Sequence, residues 1–332
     1  MSATLIKQKY GKDLVRLVKV SPLPPHPQAP KLKRHIVQEL TCRVLLGGKE
    51  FDSSYTLADN SKVVPTDTVK NTIYYLAKKS PASLLTIETF AHDIAVHFLE
   101  KYAHVQTVDV KIAAHNWTRI ATTTLQPPLG SAPLVAHPHS FFRAGEDKRH
   151  VQLVATRLST PGEGPLKVQF ATTSGLTDLY VLKTTGSSFE RFHRDELTTL
   201  PDMADRIFST TVEAYWTFPT RVETFPVVIG AAASAIPYDE IYTGIRQVTV
   251  DLFANHDSPS VQNTLWRMGT EILKLYPDVV DISYALPNKH VFAYDTDRFG
   301  LKNLREGTNV YYPVADPSGL ITATIGRSKP KL

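Results

Sequence analysis

The sequence is 332 residues long, material for about two domains at the usual ~150 residues each, so a core can be buried without disulfide or metal staples. A hydrophobic content of 42% with 14 Phe and 14 Tyr excludes a disordered chain, and a single cysteine, Cys42, excludes an intrachain disulfide, a zinc ribbon and an iron–sulfur cluster. The net charge of +5 suits an anionic small substrate, a weak nucleic-acid contact or no specific partner, and no apolar run reaches the ~18 residues of a membrane span. In chain order, strand patterns cover 14–20 and 35–46, separated by a loop-like stretch at 21–33 that holds five prolines. Helical spacing follows over 68–79, with Val69, Ile73 and Leu76 on one stripe, and over 82–102 through Leu85, Phe90, Ile94 and Phe98. A long β pattern at 105–120 leads to a second inserted loop at 122–136, and the charged run 143–150 reads as a solvated turn.

The second half repeats that order: strands over 166–184 and 206–216, helices over 238–255 and 260–276, and strands over 279–294. Ser80-Pro81 and Ser258-Pro259 both have the Ser N-cap and Pro N1 pattern that opens a helix. The reading is a tandem duplication of a strand-strand-helix-helix-strand-strand unit, divided 1–157 and 158–332. Its fold class is α+β, antiparallel sheets with helices on one face.

No Gly-x-Gly-x-x-Gly, Walker A, Gly-x-Ser-x-Gly or His-Glu-x-x-His occurs, so the common nucleotide, hydrolase-elbow and zincin routes have no support. His137-Pro138-His139 lacks a third ligand and reads as a loop-to-strand junction. Scattered polar residues remain, each with a plain structural account: Lys12 as a solvated lysine before a strand, Thr66 as a helix N-cap, Arg206 as an ion-pair partner, Gln262 as an exposed first-turn residue and His290 as a core histidine.

Taken in order, these segments resemble the urate oxidase (uricase) family over nearly the whole chain outside the two loops. The resemblance is carried by Tyr10-Gly11-Lys12-Asp13, Ser54-Tyr55-Thr56, Ala58-Asp59-Asn60-Ser61, Thr66-Asp67-Thr68-Val69-Lys70-Asn71-Thr72, Phe98-Leu99-Glu100-Lys101-Tyr102, His137-Pro138-His139-Ser140-Phe141 and Pro287-Asn288-Lys289-His290. Its most specific stretch is Val181-Leu182-Lys183-Thr184-Thr185-Gly186-Ser187-Ser188-Phe189, followed by Phe192, Leu200 and Arg206 at the family spacing. Leu197, where the family prefers an aromatic, and Ser318, where it has Asn, are departures.

The resemblance implies the tunnelling fold (T-fold): two tandem units per chain, paired chains closing an intersubunit β-barrel, and a homotetramer with its sites between subunits. It implies oxidation of urate by O2 to 5-hydroxyisourate and H2O2, in purine degradation, with no metal or organic cofactor. Lys12, Thr66 and His290 would be catalytic, Lys12 working as a buried base through the Thr66 hydroxyl. Thr66, Asp67, Phe189, Leu200, Arg206, Val261, Gln262 and Asn288 would bind substrate, and Thr66 and Asn288 would hold O2 or water. Urate is a flat anion with donors and acceptors around its rim, so a guanidinium fork, an amide and a ring suit it. The C-terminal Pro330-Lys331-Leu332 resembles a peroxisomal address read by the import receptor, with proline in its first position, so the expected location is the peroxisome, otherwise the cytoplasm. Two other readings stay open: a metal-dependent tunnelling-fold enzyme of pterins or another purine, with His137 and His139 as ligands, and a non-catalytic homo-oligomeric scaffold. Nucleic acid and membrane partners are not expected.

Overall fold

A computed structural model describes residues 3–25, 31–79, 86–123, 134–143, 145–160, 162–225, 236–303, 308–314 and 316–327. The strands are β1 (Tyr10–Pro22), β2 (His35–Gly47), β3 (Thr107–His115), β4 (Thr118–Thr122), β5 (Val135–Phe142), β6 (Lys148–Arg157), β7 (Lys167–Lys183), β8 (Phe208–Thr217), β9 (Arg221–Thr224), β10 (Asp281–Pro287), β11 (His290–Ala293), β12 (Tyr311–Val314) and β13 (Leu320–Gly326). The α-helices are α1 (Asp52–Thr56), α2 (Thr66–Lys79), α3 (Ile87–Lys101), α4 (Tyr238–Asn255) and α5 (Val261–Leu275).

Two compact units emerge, one of Met1–Gly175 with Thr217–Asp239, the other of Leu176–Trp216 with Glu240–Leu332. This differs from a division at 157, for a physical reason. After β8 the chain returns to the start of β7, where β9 pairs with residues 167–170 and Phe225 donates its N–H to the Leu166 carbonyl at 2.8 Å. The beginning of β7, with Val168 and Phe170, therefore completes the core of unit 1.

Unit 1 runs β1-β2-β3-β6-β7, with antiparallel pairs β1–β2, β2–β3 and β3–β6. On β6 every second residue from Arg149 to Ala155 is buried, the period that sends alternate side chains to one face. α2 and α3 cover this sheet, α2 on β1 and α3 on β3 and β6. The stripe Val69, Ile73 and Leu76 is buried as its spacing requires, as are Phe90, Ile94 and Phe98.

The same alternation corrects the reading of 143–150 as a solvated turn. Lys148–His150 open β6, and Arg149 falls on the core face with Val151 and Leu153. Its charge is matched by Glu88 of α3 at 2.7 Å and by Asp239, and Glu88 also accepts from the Ser174 hydroxyl at 2.5 Å. A buried guanidinium without those carboxylates would cost several kcal/mol.

The 105–120 strand breaks in two at Asn116-Trp117, where the Asn116 amide donates to the Asp147 carbonyl at 3.1 Å and the Trp117 indole to Glu39 at 3.1 Å. The 122–136 stretch has strand at both ends, in the β4–β5 hairpin, and residues 124–133 lie outside the described residues. Likewise Ser21 and Pro22 still pair with Ile36 and His35, so β1 runs into the proline-rich stretch, of which 26–30 are not described. His137-Pro138-His139 sits within β5, where Arg119 donates to the His137 and Pro138 carbonyls at 2.9 and 2.6 Å.

Unit 2 contains the end of β7 with β8, β10 and β13, and α5 packs on β10 and β13. The 279–294 strand is interrupted at Asn288-Lys289 between β10 and β11. The short elements α1, β9, β12 and β13 carry too little periodicity to be foreseen.

Both units lock the end of their second helix with the same device. In unit 1, Arg157 donates to the carbonyls of Leu99, Tyr102 (3.3 Å) and Val105 (3.0 Å). In unit 2, Arg327 donates to those of Leu273 (2.7 Å), Tyr276 (2.8 Å) and Val279 (3.1 Å). The spacing of the three carbonyls is identical, and each arginine comes from a strand end that closes on its helix. A cation at a helix C-terminus satisfies orphan carbonyls and opposes the dipole.

The helix starts are equivalent too, although not where the Ser-Pro pairs point. Thr86 caps α3 by accepting from Thr89 N at 3.1 Å, and Ser80-Pro81 lies outside the described residues. Ser260, not Ser258, caps α5 by accepting from Asn263 N at 3.1 Å.

Candidate active site

Unit 1 brings together Lys12, Thr66 and Asp67. β1 pairs regularly with β2 up to Lys12–Val44 and then shifts register before Val15, with Leu14 at φ 54° and its N–H held by the Asp13 carboxylate at 2.8 Å. A bulge of this kind turns a strand where its side chain is to be aimed. Gly11 makes the approach possible, since a Cβ there would lie 1.9 Å from the Val44 carbonyl oxygen. Lys12 is half-buried within the chain rather than buried.

α2 begins at Thr66 itself, so Thr66 is the first helical residue rather than the N-cap. Val69 N already bonds the Pro65 carbonyl at 3.1 Å, whereas the N–H groups of Thr66, Asp67 and Thr68 have no carbonyl partner within the helix. Asp67 is exposed and held below the usual carboxylate range, first by a hydrogen bond from Lys70 at 2.6 Å and further by Asn71 and the nearby charge of Lys12. No hydrogen bond between Lys12 and Thr66 is found among the described residues.

Unit 2 carries Phe189, Leu200 and Arg206 on one loop, Val261 and Gln262 on α5, and Asn288 and His290 around the start of β11. Phe189 exchanges hydrogen bonds with Met203 (2.8 and 3.0 Å), and Arg206 N donates to the Ser187 carbonyl at 2.8 Å. These bonds place the Arg206 guanidinium 5.3 Å from the Phe189 ring centroid. The other neighbour of that ring is Phe192, stacked at 4.8 Å with planes 9° apart, and Arg194 lies 4.4 Å from the Phe192 ring. Burial lowers the Arg206 pKa from its ordinary value, yet so high a starting point keeps it a cation.

The same loop is tied to the start of α5. Ser188 N donates to the Ser258 carbonyl at 2.8 Å and Ser258 N to the Gly186 carbonyl at 3.0 Å, while the Ser258 hydroxyl takes a hydrogen bond from Thr264 at 2.7 Å. Ser258 is thus a latch between loop and helix, and it fixes Val261 and Gln262 relative to Phe189 and Arg206. Val261 is buried and Gln262 exposed in the first turn. Leu200 is exposed, and its carbonyl accepts from Arg194 at 2.7 Å.

Asn288 is reached along β8, which starts two residues after Arg206: it forms a bridge with Thr210, its N–H donates to the Gly319 carbonyl at 2.7 Å, and its side-chain oxygen is buried without a hydrogen-bond partner. His290, half-buried at the start of β11, stacks on Phe292 at 6.4 Å. Among the described residues no hydrogen bond connects Asn288 or His290 to Phe189, Arg206 or Gln262.

Three contributors escape a reading of the residues alone. Arg194, which also pairs with Asp202 at 3.3 Å, is one charge in a polar loop. Ser258 resembles an ordinary cap. Asp205 accepts from the Thr185 hydroxyl at 2.6 Å and from Gly186 N at 2.9 Å, and the Thr185 bond foremost lowers its pKa. Only its adjacency to Arg206 could have pointed to it. His137 and His139 have rings 4.6 Å apart, but no group of three His, Cys, Asp or Glu able to hold a metal occurs among the described residues.

Comparison with known proteins gives one consistent answer. A sequence model of the uricase family matches residues 8–154 and 172–322. Uricase of Cyberlindnera jadinii is 41% identical over 329 residues, 99% of each chain, and uricase of Schizosaccharomyces pombe is 40% identical over 325 residues, 98% of each. The crystal structure of uricase from Arthrobacter globiformis superposes with a TM-score of 0.78 at 32% identity, covering 100% of this chain and 98% of that one. Urate oxidase from Bacillus sp. TB-90, at 22% identity and a TM-score of 0.76 over 96% of this chain and 100% of its own, shares the fold. The α+β tunnelling fold anticipated from the resemblance therefore holds, and the matched segments contain Lys12, Thr66, Arg206, Gln262 and His290 alike. The chain belongs to the uricase family.

Proposed function

We propose that the chain oxidises urate, urate + O2 + H2O giving 5-hydroxyisourate + H2O2, without a metal or organic cofactor. The observation that carries this reading is the Phe189–Arg206 pair, latched through Ser258 to the first turn of α5 that bears Gln262. Phe192 stacks on one face of Phe189 and the guanidinium lies 5.3 Å from the ring centroid, so the ring surface left uncovered would suit a flat bicycle lying coplanar with the Arg206 fork. Gln262 then offers a donor and an acceptor to the rim.

Urate itself supplies the electrons, so the chain's residues hold reactants and move protons. Lys12, once deprotonated, takes a proton from urate through the Thr66 hydroxyl; the N–H groups of Thr66 and Asp67 steady the anion. Asn288 holds O2 and then water over the ring, and His290 completes the relay. Lys12, Thr66 and Asp67 belong to unit 1 and the other residues to unit 2. We propose that a site is completed by two chains of a homotetramer, whose barrel forms where the strand edges at β1 and β13 find partners. What supports this is that β1 pairs only with β2 and β13 only with β10 among the described residues, and that Lys12 is still half-exposed. We further propose peroxisomal import through Pro330-Lys331-Leu332, which lies outside the described residues.

The test is to treat the protein with chelator, add urate in oxygenated buffer, and follow urate absorbance, O2 and H2O2. Equimolar consumption of urate and O2 with equimolar peroxide is expected. Loss of turnover that a metal restores would defeat the reading.

A further inference from the structure

Lys12 and Thr66 must hold a fixed spacing if one is to draw a proton through the other, yet no direct hydrogen bond joins them. The structure supplies an indirect tie two residues upstream of each. The Tyr10 phenol oxygen accepts the Val64 N–H at 2.7 Å. Tyr10 and Lys12 are two positions apart, with Gly11 alone between them, in regularly paired strand, so their side chains leave β1 on the same face. Val64, buried, is joined to Thr66 by Pro65 alone, whose ring fixes φ and whose carbonyl accepts the first α2 bond from Val69. The Tyr10 ring is itself held edge-on by Phe51 at 4.9 Å and 87°, and Phe51 is fully buried. Every link in this path is short and stiff. Burial pushes the Tyr10 phenol up to about 12, so it stays neutral through the working pH range.

We propose that Tyr10 is a positioning residue of the oxidation, its phenol oxygen setting the distance between Lys12 and Thr66. The inference rests on the reading of Lys12 as the base that works through Thr66. An error of about 1 Å in such a pair can cost up to ~100-fold.

The experiment is a double-mutant cycle of Tyr10→Phe and Lys12→Met, with kcat and KM for urate measured for each variant. Tyr10→Phe should lower kcat about tenfold and move KM less than about twofold, and it should lower kcat no further in the Lys12→Met background. An unchanged kcat in Tyr10→Phe, or the same tenfold loss in both backgrounds, overturns the proposal, the second outcome marking a merely structural role. A normal kcat in Lys12→Met would overturn the Lys12 reading and the inference with it, whereas an impaired Lys12→Met beside a normal Tyr10→Phe overturns the inference alone. Phe51→Leu, which keeps the phenol but removes its buttress, should give a smaller kcat loss of about threefold with the same non-additivity and covers the case that Tyr10→Phe does not fold.

Discussion

Unit 1 and unit 2 keep one scaffold and carry different candidate site residues on it. Each closes its second helix with an arginine on three carbonyls at matching positions, and each opens that helix with a hydroxyl cap, Thr86 or Ser260. The helix start that bears candidate site residues is nevertheless not the same element. In unit 1 it is α2, where Asp67 feels the nearby charge of Lys12, and in unit 2 it is α5, which bears Gln262 and is tied through Ser258 to the Phe189–Arg206 loop. Duplicated packing left each unit free to diverge at loops and helix starts, where substitutions cost little burial. On the proposed function the outcome is a division of labour, proton handling in unit 1 and substrate shape and charge in unit 2.

The sharpest way to break that comparison is kinetic. Lys12→Met should lower kcat by roughly 10² to 10⁴ with urate binding nearly intact. Arg206→Met should instead weaken binding by roughly 10- to 100-fold, because a hydrogen bond to a charged partner contributes ~1.5–3 kcal/mol, and Arg206→Lys should not rescue it. If both variants fail in binding, the two units do not divide the work as described.

Next come the matched arginines. Arg157→Met and Arg327→Met should each cost about 2–4 kcal/mol by orphaning helix-end carbonyls, and urea unfolding should find the two losses equal within about 1 kcal/mol. A large inequality would mean that the shared geometry is not shared energetics.

The caps give a smaller and more discriminating effect. Thr86→Ala and Ser260→Ala should each cost ~1 kcal/mol of stability. Only Ser260→Ala should also raise KM for urate, because its helix start bears Gln262.

The smallest effect is a pH dependence in unit 1. The His92 hydrogen bond at 3.0 Å foremost holds Glu223 below its ordinary value. Its contribution is therefore present above the unfolded carboxylate pKa and lost as pH falls through the folded one, below about pH 4.5. Glu223→Gln should flatten that part of the acid melting profile.

Much of this was legible in the residues. α2, α3, α4 and α5 announced themselves by period and the duplication by order, while Lys12, Thr66, Phe189 and Arg206 stood out as candidates by their place in recognisable segments. Where the pattern misled, a tertiary partner had won. Arg149 is charged and yet faces the core because Glu88 and Asp239 meet it there. Ser258 has a cap-like sequence but spends its hydrogen bonds on the loop before Phe189, leaving the cap to Ser260. The split of 105–120 follows from Asn116 and Trp117, whose partners Asp147 and Glu39 are distant in sequence.

The sequence by itself determined the fold class, the repeat and the chemistry on offer, because periodicity and residue type are local properties that survive without coordinates. Only the tertiary structure decided which unit holds which residues, that Tyr10 reaches Val64, and that Ser258 latches the loop before Phe189. Those facts depend on hydrogen bonds whose free energy is gained only after distant segments have been ordered together, so no local pattern encodes them.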